Sequence, residues 1–192
     1  MTTVSIIGTG NMANAIDGVL TKGGAEVELI GHAEVGSAPL TSEIVILAVP
    51  YPAIDQIIET YRDQLAGTVL VDISNPLDFE TFESLVVPAD SSAAAQIQEK
   101  VPEARVLKAF NTTFASTLAT GKVGENLTTV LVAGDDADAR AALTGVITAA
   151  GYGAIDAGPL ARARELEAIG FLQLTLAASE KISWGGGFGL VR

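Results

Sequence analysis

Hydrophobic positions in this chain form short apolar runs that alternate with longer stretches of helical spacing. Thr3 to Ile7 predicts a short buried strand, and Met12 to Lys22 a helix ending at Gly23-Gly24. Val27 to Ile30 predicts a second strand. Ile44 to Val49, nearly all β-branched or apolar, predicts a third, covered on both faces. Ala53 to Leu65 places Ile54, Ile57, Ile58, Tyr61 and Leu65 on one side, as a helix would, and Gly67 leads into a strand at Val69 to Ile73.

Beyond the loop Ser74-Asn75-Pro76, two short helical stretches are expected to flank Val86-Val87-Pro88. A strand at Arg105 to Lys108, a helix from Thr113 to Ala119 and a strand at Thr128 to Val132 follow. A helix from Asp136 to Ala150 and a short strand at Ala154-Ile155 continue the alternation. The order implies an α/β Rossmann fold with a doubly wound, mainly parallel sheet, in a single domain spanning 1–192. Gly31 to Glu43 is too short for a full crossover helix, so a trimmed loop or one helical turn is expected there.

The segment from Leu160 to Ile182 is expected to be the longest helix. Between Ala168 and Ala178 it is apolar nearly all round, with Ile169, Phe171, Leu172, Leu174 and Leu176. A helix without a polar face must be buried on several sides. One core could do this, and a second copy would do it more easily, so a homodimer is expected, with the helix and tail of 160–192 packing on the partner.

Composition narrows the function classes. The chain is 48% hydrophobic and 18% charged, a balance that favours an ordered core. The longest apolar stretch, Ile44 to Ile54, is interrupted by Pro50 and Pro52, so no membrane association is expected. No basic N-terminal stretch precedes an apolar run and cleavage site, and a cytoplasmic location is expected by default. The lack of cysteine excludes disulfides, thiolate catalysis and cysteine-based zinc sites. A net charge of −12 argues against nucleic acid as a partner and requires any bound anion to be held locally, by backbone amides or a helix end.

Gly8-Thr9-Gly10-Asn11-Met12-Ala13 lies between the first strand and the first helix. Gly8 permits the tight turn, Gly10 leaves room for a pyrophosphate, and Ala13 allows close packing of helix on strand. Exposed amides and the helix dipole would then bind the anion. NAD-binding versions of this motif place an acid at the end of the second strand, where this chain has Ile30-Gly31-His32. That favours NADP, with His32 as a candidate donor to the 2′-phosphate. Glu34 lies close enough to serve NAD instead.

Several further segments carry a family resemblance: Ala48-Val49-Pro50-Tyr51, Val71-Asp72-Ile73-Ser74-Asn75-Pro76, Lys108-Ala109-Phe110-Asn111-Thr112 and Asp156-Ala157-Gly158-Pro159-Leu160. With the glycine motif, they make the chain resemble the NADPH-dependent oxidoreductases that reduce the deazaflavin coenzyme F420, particularly their short bacterial members. The Lys-Ala-Phe-Asn-Thr element is similar to one in the cytosolic domains of membrane ferric reductases. The early Gly-Asn-Met is similar to pyrroline-5-carboxylate reductases, which carry an additional helical domain. The resemblance implies that Val49, Pro50 and Tyr51 pass beside the cofactor. It places Asn75 and Pro76 at a strand end where ligands gather, and has Phe110, Asn111 and Thr112 line the nicotinamide end. The chain departs from the family in having no arginine beside His32, and in having Asn111 where the deazaflavin reductase carries histidine.

A lone histidine and no cysteine exclude most acid–base and nucleophilic schemes, and no metal cluster stands out. Hydride transfer between two bound rings suits such a site. The leading expectation is an NADP-dependent oxidoreductase acting on a flavin or deazaflavin. Reduction of an imine or carbonyl compound is an alternative, with Lys108 beside Asn111 as the only nominated proton donor, although Lys108 could equally be a solvated edge residue. A non-catalytic NADP-binding redox sensor is a third. The tail Trp184-Gly185-Gly186-Gly187-Phe188-Gly189 is either a lid over a flat ring or a frayed terminus.

Overall fold

Short β-branched runs flanked by glycine pair as strands, and the apolar faces between them pack as helices. In the computed structural model, which describes residues 1–191, β1 (Thr3–Ile7), α1 (Asn11–Lys22) and β2 (Glu26–Ile30) form the first unit. β3 (Ile44–Leu47), α2 (Ile54–Leu65), β4 (Val69–Asp72), α3 (Ala93–Lys100) and β5 (Arg105–Lys108) follow. The rest comprises α4 (Ala115–Thr120), a small hairpin of β6 (Lys122–Val123) and β7 (Asn126–Leu127), then β8 (Thr129–Gly134), α5 (Ala137–Ala149), β9 (Gly153–Gly158) and α6 (Ala163–Ala178).

The main sheet has seven strands in the order β2-β1-β3-β4-β5-β8-β9. It is parallel except that β8 runs antiparallel to β5, with β9 parallel to β8. One apolar core joins the sheet to α1, α4 and α5, and a second joins its other face to α2, α3 and the start of α6. Every residue of β3 and β4 is therefore buried. The expected doubly wound Rossmann sheet is the one observed. The order in which successive strands are added reverses between the parallel β1 and β3, where ligands of such sheets bind.

The short connection between β2 and β3 holds a single 3-10 turn at His32–Glu34. It is tied to α2 where Gly36 N–H donates to Tyr61 Oη at 2.9 Å and Leu40 N–H to Gln64 Oε1 at 2.8 Å. Of the two helical stretches expected around Val86-Val87-Pro88, only the second, α3, forms. The first is an irregular turn closed by a Leu77–Leu85 bridge. Asp78 accepts from the Glu80 and Thr81 amides, which competes with helix formation. The helix expected from Thr113 starts at Ala115, because Thr113 Oγ1 donates instead to the Phe110 carbonyl at 2.7 Å. β9 is longer than the Ala154-Ile155 pair expected.

α6 is also shorter than the expected span. It follows a 3-10 turn at Leu160–Arg162 and stops where Glu180 adopts a φ of +58°. Lys181 N–H then reaches back to the Leu176 carbonyl and Glu180 N–H to that of Ala177, which satisfies the helix end. The chain does not bury this helix on several sides. Its inward face carries Glu167, Gly170 and Gln173, while Ile169 and Leu172 are exposed.

Glu167 is inside because it has a partner. Lys108 Nζ lies 2.7 Å from Asp72 Oδ2, 2.8 Å from Glu167 Oε1 and 2.6 Å from the Ser74 carbonyl. Glu167 Oε2 accepts from Ala93 N–H at 3.0 Å, in the first turn of α3, where the helix dipole favours a carboxylate. Burial pushes the Glu167 carboxyl above its ordinary range, against the pull of Lys108, and the charge of Asp72 adds to the rise. Lys108 is thus neither solvated nor on an edge strand, since β5 runs between β4 and β8. Lys108→Met removes the shared cation and leaves two buried carboxylates without it. Its stability, read from urea unfolding, is expected to fall by about 3–5 kcal/mol.

Candidate functional site

Two cavities open at the carboxyl ends of β1 and β3 and share a wall of Gly10, Ala48, Val49 and Pro50. The turn from β1 to α1 explains why glycine is needed. Gly8 has φ +129°, donates to the Ile30 carbonyl at 2.9 Å, and would place a Cβ 2.3 Å from the Ala48 carbonyl oxygen. A Cβ at Gly10 would meet nothing within 4 Å, so the chain leaves open space there. Gly10 caps α1 without a side chain, and no acidic residue lies in the first turn. This is an uncrowded, electropositive helix start, and its geometry fits a pyrophosphate.

The second cavity, about 540 Å³, runs from Gly8 and Thr9 past His32 to Gln56 and Thr60. His32 is exposed on its rim. Glu34, the alternative ribose ligand, turns back, and its Oε2 accepts from Gly31 N–H at 2.8 Å.

The first cavity, about 630 Å³, takes in Asn11, Met12, Tyr51, Asn75, Phe110 and Asn111. Tyr51 Oη donates to Gln96 Oε1 at 2.5 Å, and burial, followed by the charges of Asp55, Glu167 and Asp72, holds its phenol protonated well into the basic range. Phe110 has φ +62°, and Asn111 N–H donates to the Ala109 carbonyl at 2.8 Å, closing a tight turn around Phe110. Such a backbone costs a non-glycine residue about 1–3 kcal/mol. It turns Asn111 toward Asn75, and the two side chains clasp. Asn75 Nδ2 donates to the Asn111 carbonyl at 2.9 Å, while Asn111 Nδ2 donates to Asn75 Oδ1 at 3.0 Å and to the Leu166 carbonyl at 2.8 Å.

This leaves Asn111 Oδ1 buried without a partner, and Ser74 Oγ is in the same state. Both residues line the first cavity. Buried polar atoms rarely stay unpaired, so a ligand that satisfies them fits here.

Some candidates lie outside both cavities. Pro76 is buried and forms a bend in which Leu77 N–H donates to the Asn75 carbonyl. Thr112 faces α6, where its carbonyl accepts from Gln173 Nε2 at 3.3 Å. Lys108 lies behind Ser74, with its ammonium bound to three oxygens. Sequence reasoning missed Ser74, Phe79, Phe114 and Leu174 in the wall, and Glu167 and Gly170 behind it. A glutamate just before the apolar stretch of α6 and a glycine inside it were the available signal. Trp184 lines the first cavity with its ring 5.1 Å from that of Phe114, and its carbonyl accepts from Ser116 Oγ. The start of the tail is therefore anchored. Among the described residues, no helix is long and apolar enough to cross a membrane, and no cluster of three or more histidine or acidic side chains could hold a metal.

No protein-family model matches the chain. The F420-dependent NADP reductase of Methanocaldococcus jannaschii is 29% identical over 160 residues, which cover 79% of this chain and 69% of that protein. A solved structure from Arthrobacter sp. FB24, provisionally described as an F420-dependent NADP reductase, superposes with a TM-score of 0.84 at 25% identity, covering both chains completely. Over most of its length the chain is therefore similar to F420-dependent NADP reductases.

These likenesses indicate an NADP-dependent oxidoreductase. The metalloreductase STEAP3 of Rattus norvegicus is 38% identical over 107 residues, 56% of this chain but only 21% of that longer protein. In this chain, the asparagine clasp rests on α6. A Cβ on Gly170 would lie 2.1 Å from Asn75 Oδ1 and 2.9 Å from the Asn111 carbonyl oxygen. Alanine in place of glycine usually stabilises a helix by about 1 kcal/mol. Gly170→Ala is expected to do the reverse, lowering the thermal midpoint and weakening nicotinamide cofactor binding in a fluorescence titration.

Proposed function

We propose that the chain binds NADPH across both cavities and catalyses hydride transfer to a flavin or deazaflavin ring in the first. The observation that carries this reading is the shared wall of Gly10, Ala48, Val49 and Pro50, which joins an adenosine-sized pocket to an apolar chamber. When bound, NADPH supplies a hydride from its nicotinamide. The acceptor takes that hydride and one proton from solvent, and NADP⁺ remains. The protein's tasks are positional. The α1 amides would hold the pyrophosphate, and Asn111 Oδ1 and Ser74 Oγ would orient ring substituents. Val49, Phe110 and Phe114 would keep water from the transfer.

NADPH is preferred over NADH in this reading because Glu34 is committed to Gly31 and His32 stands free at the rim. An imine or carbonyl reductase would lack its nominated proton donor, since Lys108 lines neither cavity. We also propose that two copies pair through α6, covering Ile169 and Leu172 and making residues 160–192 the dimer segment.

Titration of the single tryptophan's fluorescence should show NADPH binding at least about tenfold more tightly than NADH. His32→Ala should lose most of that margin by weakening NADPH alone. Equal affinities would reject the assignment of His32. Light scattering should report a dimer for the native chain and a monomer for Leu172→Glu; a native monomer would refute the pairing.

A further inference from the structure

The tail that begins at Ser183 has no part in the hydride-transfer reading, yet it is tied to the site twice. Trp184 lines the first cavity with its ring against Phe114, and its carbonyl accepts from Ser116 Oγ in the first turn of α4. Further on, Phe188 N–H donates to Gln173 Oε1 at 3.1 Å. Between these ties lie Gly185, Gly186 and Gly187, and Gly186 N–H turns back to the Ser183 carbonyl at 2.9 Å.

Gln173 is the joint. It is buried in α6, and the other end of its amide, Nε2, donates to the Thr112 carbonyl at 3.3 Å. One side chain therefore holds both the tail and the loop that carries Phe110, Asn111 and Phe114 into the cavity wall. Ser116 follows the same loop, so both ties lead to it. A ligand that pairs with the unsatisfied Asn111 Oδ1 would settle this loop and, through it, the tail.

Little else holds the tail. Phe188, Leu190 and Val191 are exposed, so little apolar burial fixes it to the domain. Trp184 keeps 54% of its surface open, which leaves a ligand in the chamber an aromatic surface to cover. A segment with polar ties at both ends, glycines between them and no core of its own opens and closes at low cost.

We propose that residues 183–191 form a strap that closes the first cavity over its occupant. Trp184 is its movable wall, and Gln173 is the positioning residue that couples it to the 110–114 loop. This rests on the reading that NADPH spans both cavities.

The strap is tested with NADP⁺, which fills both cavities in that reading, and with adenosine 2′,5′-bisphosphate, which reaches the second alone. Acrylamide quenching of the single tryptophan reports the strap directly. NADP⁺ is expected to lower the quenching constant at least about twofold, and the bisphosphate to leave it unchanged. Gly187 offers a variant outside the core. Its φ is +139° and a Cβ there would lie 2.9 Å from Gln173 Oε1, so alanine displaces the tie without entering the cavity. Gly187→Ala is expected to release NADPH about fivefold faster in stopped flow, the scale of one lost hydrogen bond. Its affinity for the bisphosphate, its thermal midpoint and its oligomeric state should be unchanged. Ser116→Ala, which cuts the other tie, should act in the same direction.

NADP⁺ binding that leaves Trp184 as quenchable as before would overturn the strap and leave cofactor binding standing. Protection by the bisphosphate as well would overturn Trp184 as a wall of the first cavity, since the tail would then answer to the second. Native-rate release from Gly187→Ala would overturn Gln173 as the joint. Faster release together with a change of oligomeric state would overturn the strap too, because the tail would then act as an interface. Failure of NADP⁺ to bind would remove both the strap and the reading it rests on.

Discussion

Lys108 donates from one ammonium group to a strand carboxylate, a helix carboxylate and a loop carbonyl, all away from water. Isolated charges cannot be buried this deeply, so each of the three partners depends on the others. Asp72 fixes the end of β4, Ser74 begins the loop that leads to Asn75, and Glu167 ties α6 to the start of α3. The elements that surround the first cavity are thereby locked to one another from behind. A strand-end crevice that is to hold ligands needs such a brace, because loops alone position side chains less accurately than the regular elements behind them.

The acidic surface and the anion-binding turn address separate problems. Surface carboxylates give a chain rich in apolar residues a strongly hydrated exterior. The pyrophosphate cradle needs no lysine or arginine, since backbone amides at the start of α1 supply a short-range positive field. Local amides can thus bind a dinucleotide inside an overall repulsive protein. They also leave the adjoining chamber without charged side chains.

Most of the fold was legible because β-branched runs and helical spacing are local signals. The glycine turn, the alternation of strands and helices and the missing crossover helix after β2 could all be read without tertiary information. What escaped depends on pairing across the sheet. Lys108 looks like an exposed lysine until Asp72 and Glu167 are brought to it, from 36 and 59 positions away. Glu167 and Gly170 lie at the start of a stretch that reads as an apolar helix, yet they form its inward face, and Ile169 and Leu172, which suggested a core, are exposed. The turn after Pro76 was misread because Asp78 bonds its own backbone. Of the candidate site residues, those on the β1, β3 and β5 ends converge on the two cavities, whereas Pro76 supports a bend and Lys108 lies behind the wall.

Phe110 combines a left-handed backbone with a buried ring against the site. Glycine would relax that backbone and remove the wall; any other residue would inherit the strain without the same ring. The position therefore has no substitution that is better in both respects. Among sequences drifting under selection for stability alone, this corner would be eroded early, so an aromatic residue kept there would record continuing selection for the work done at the cavity.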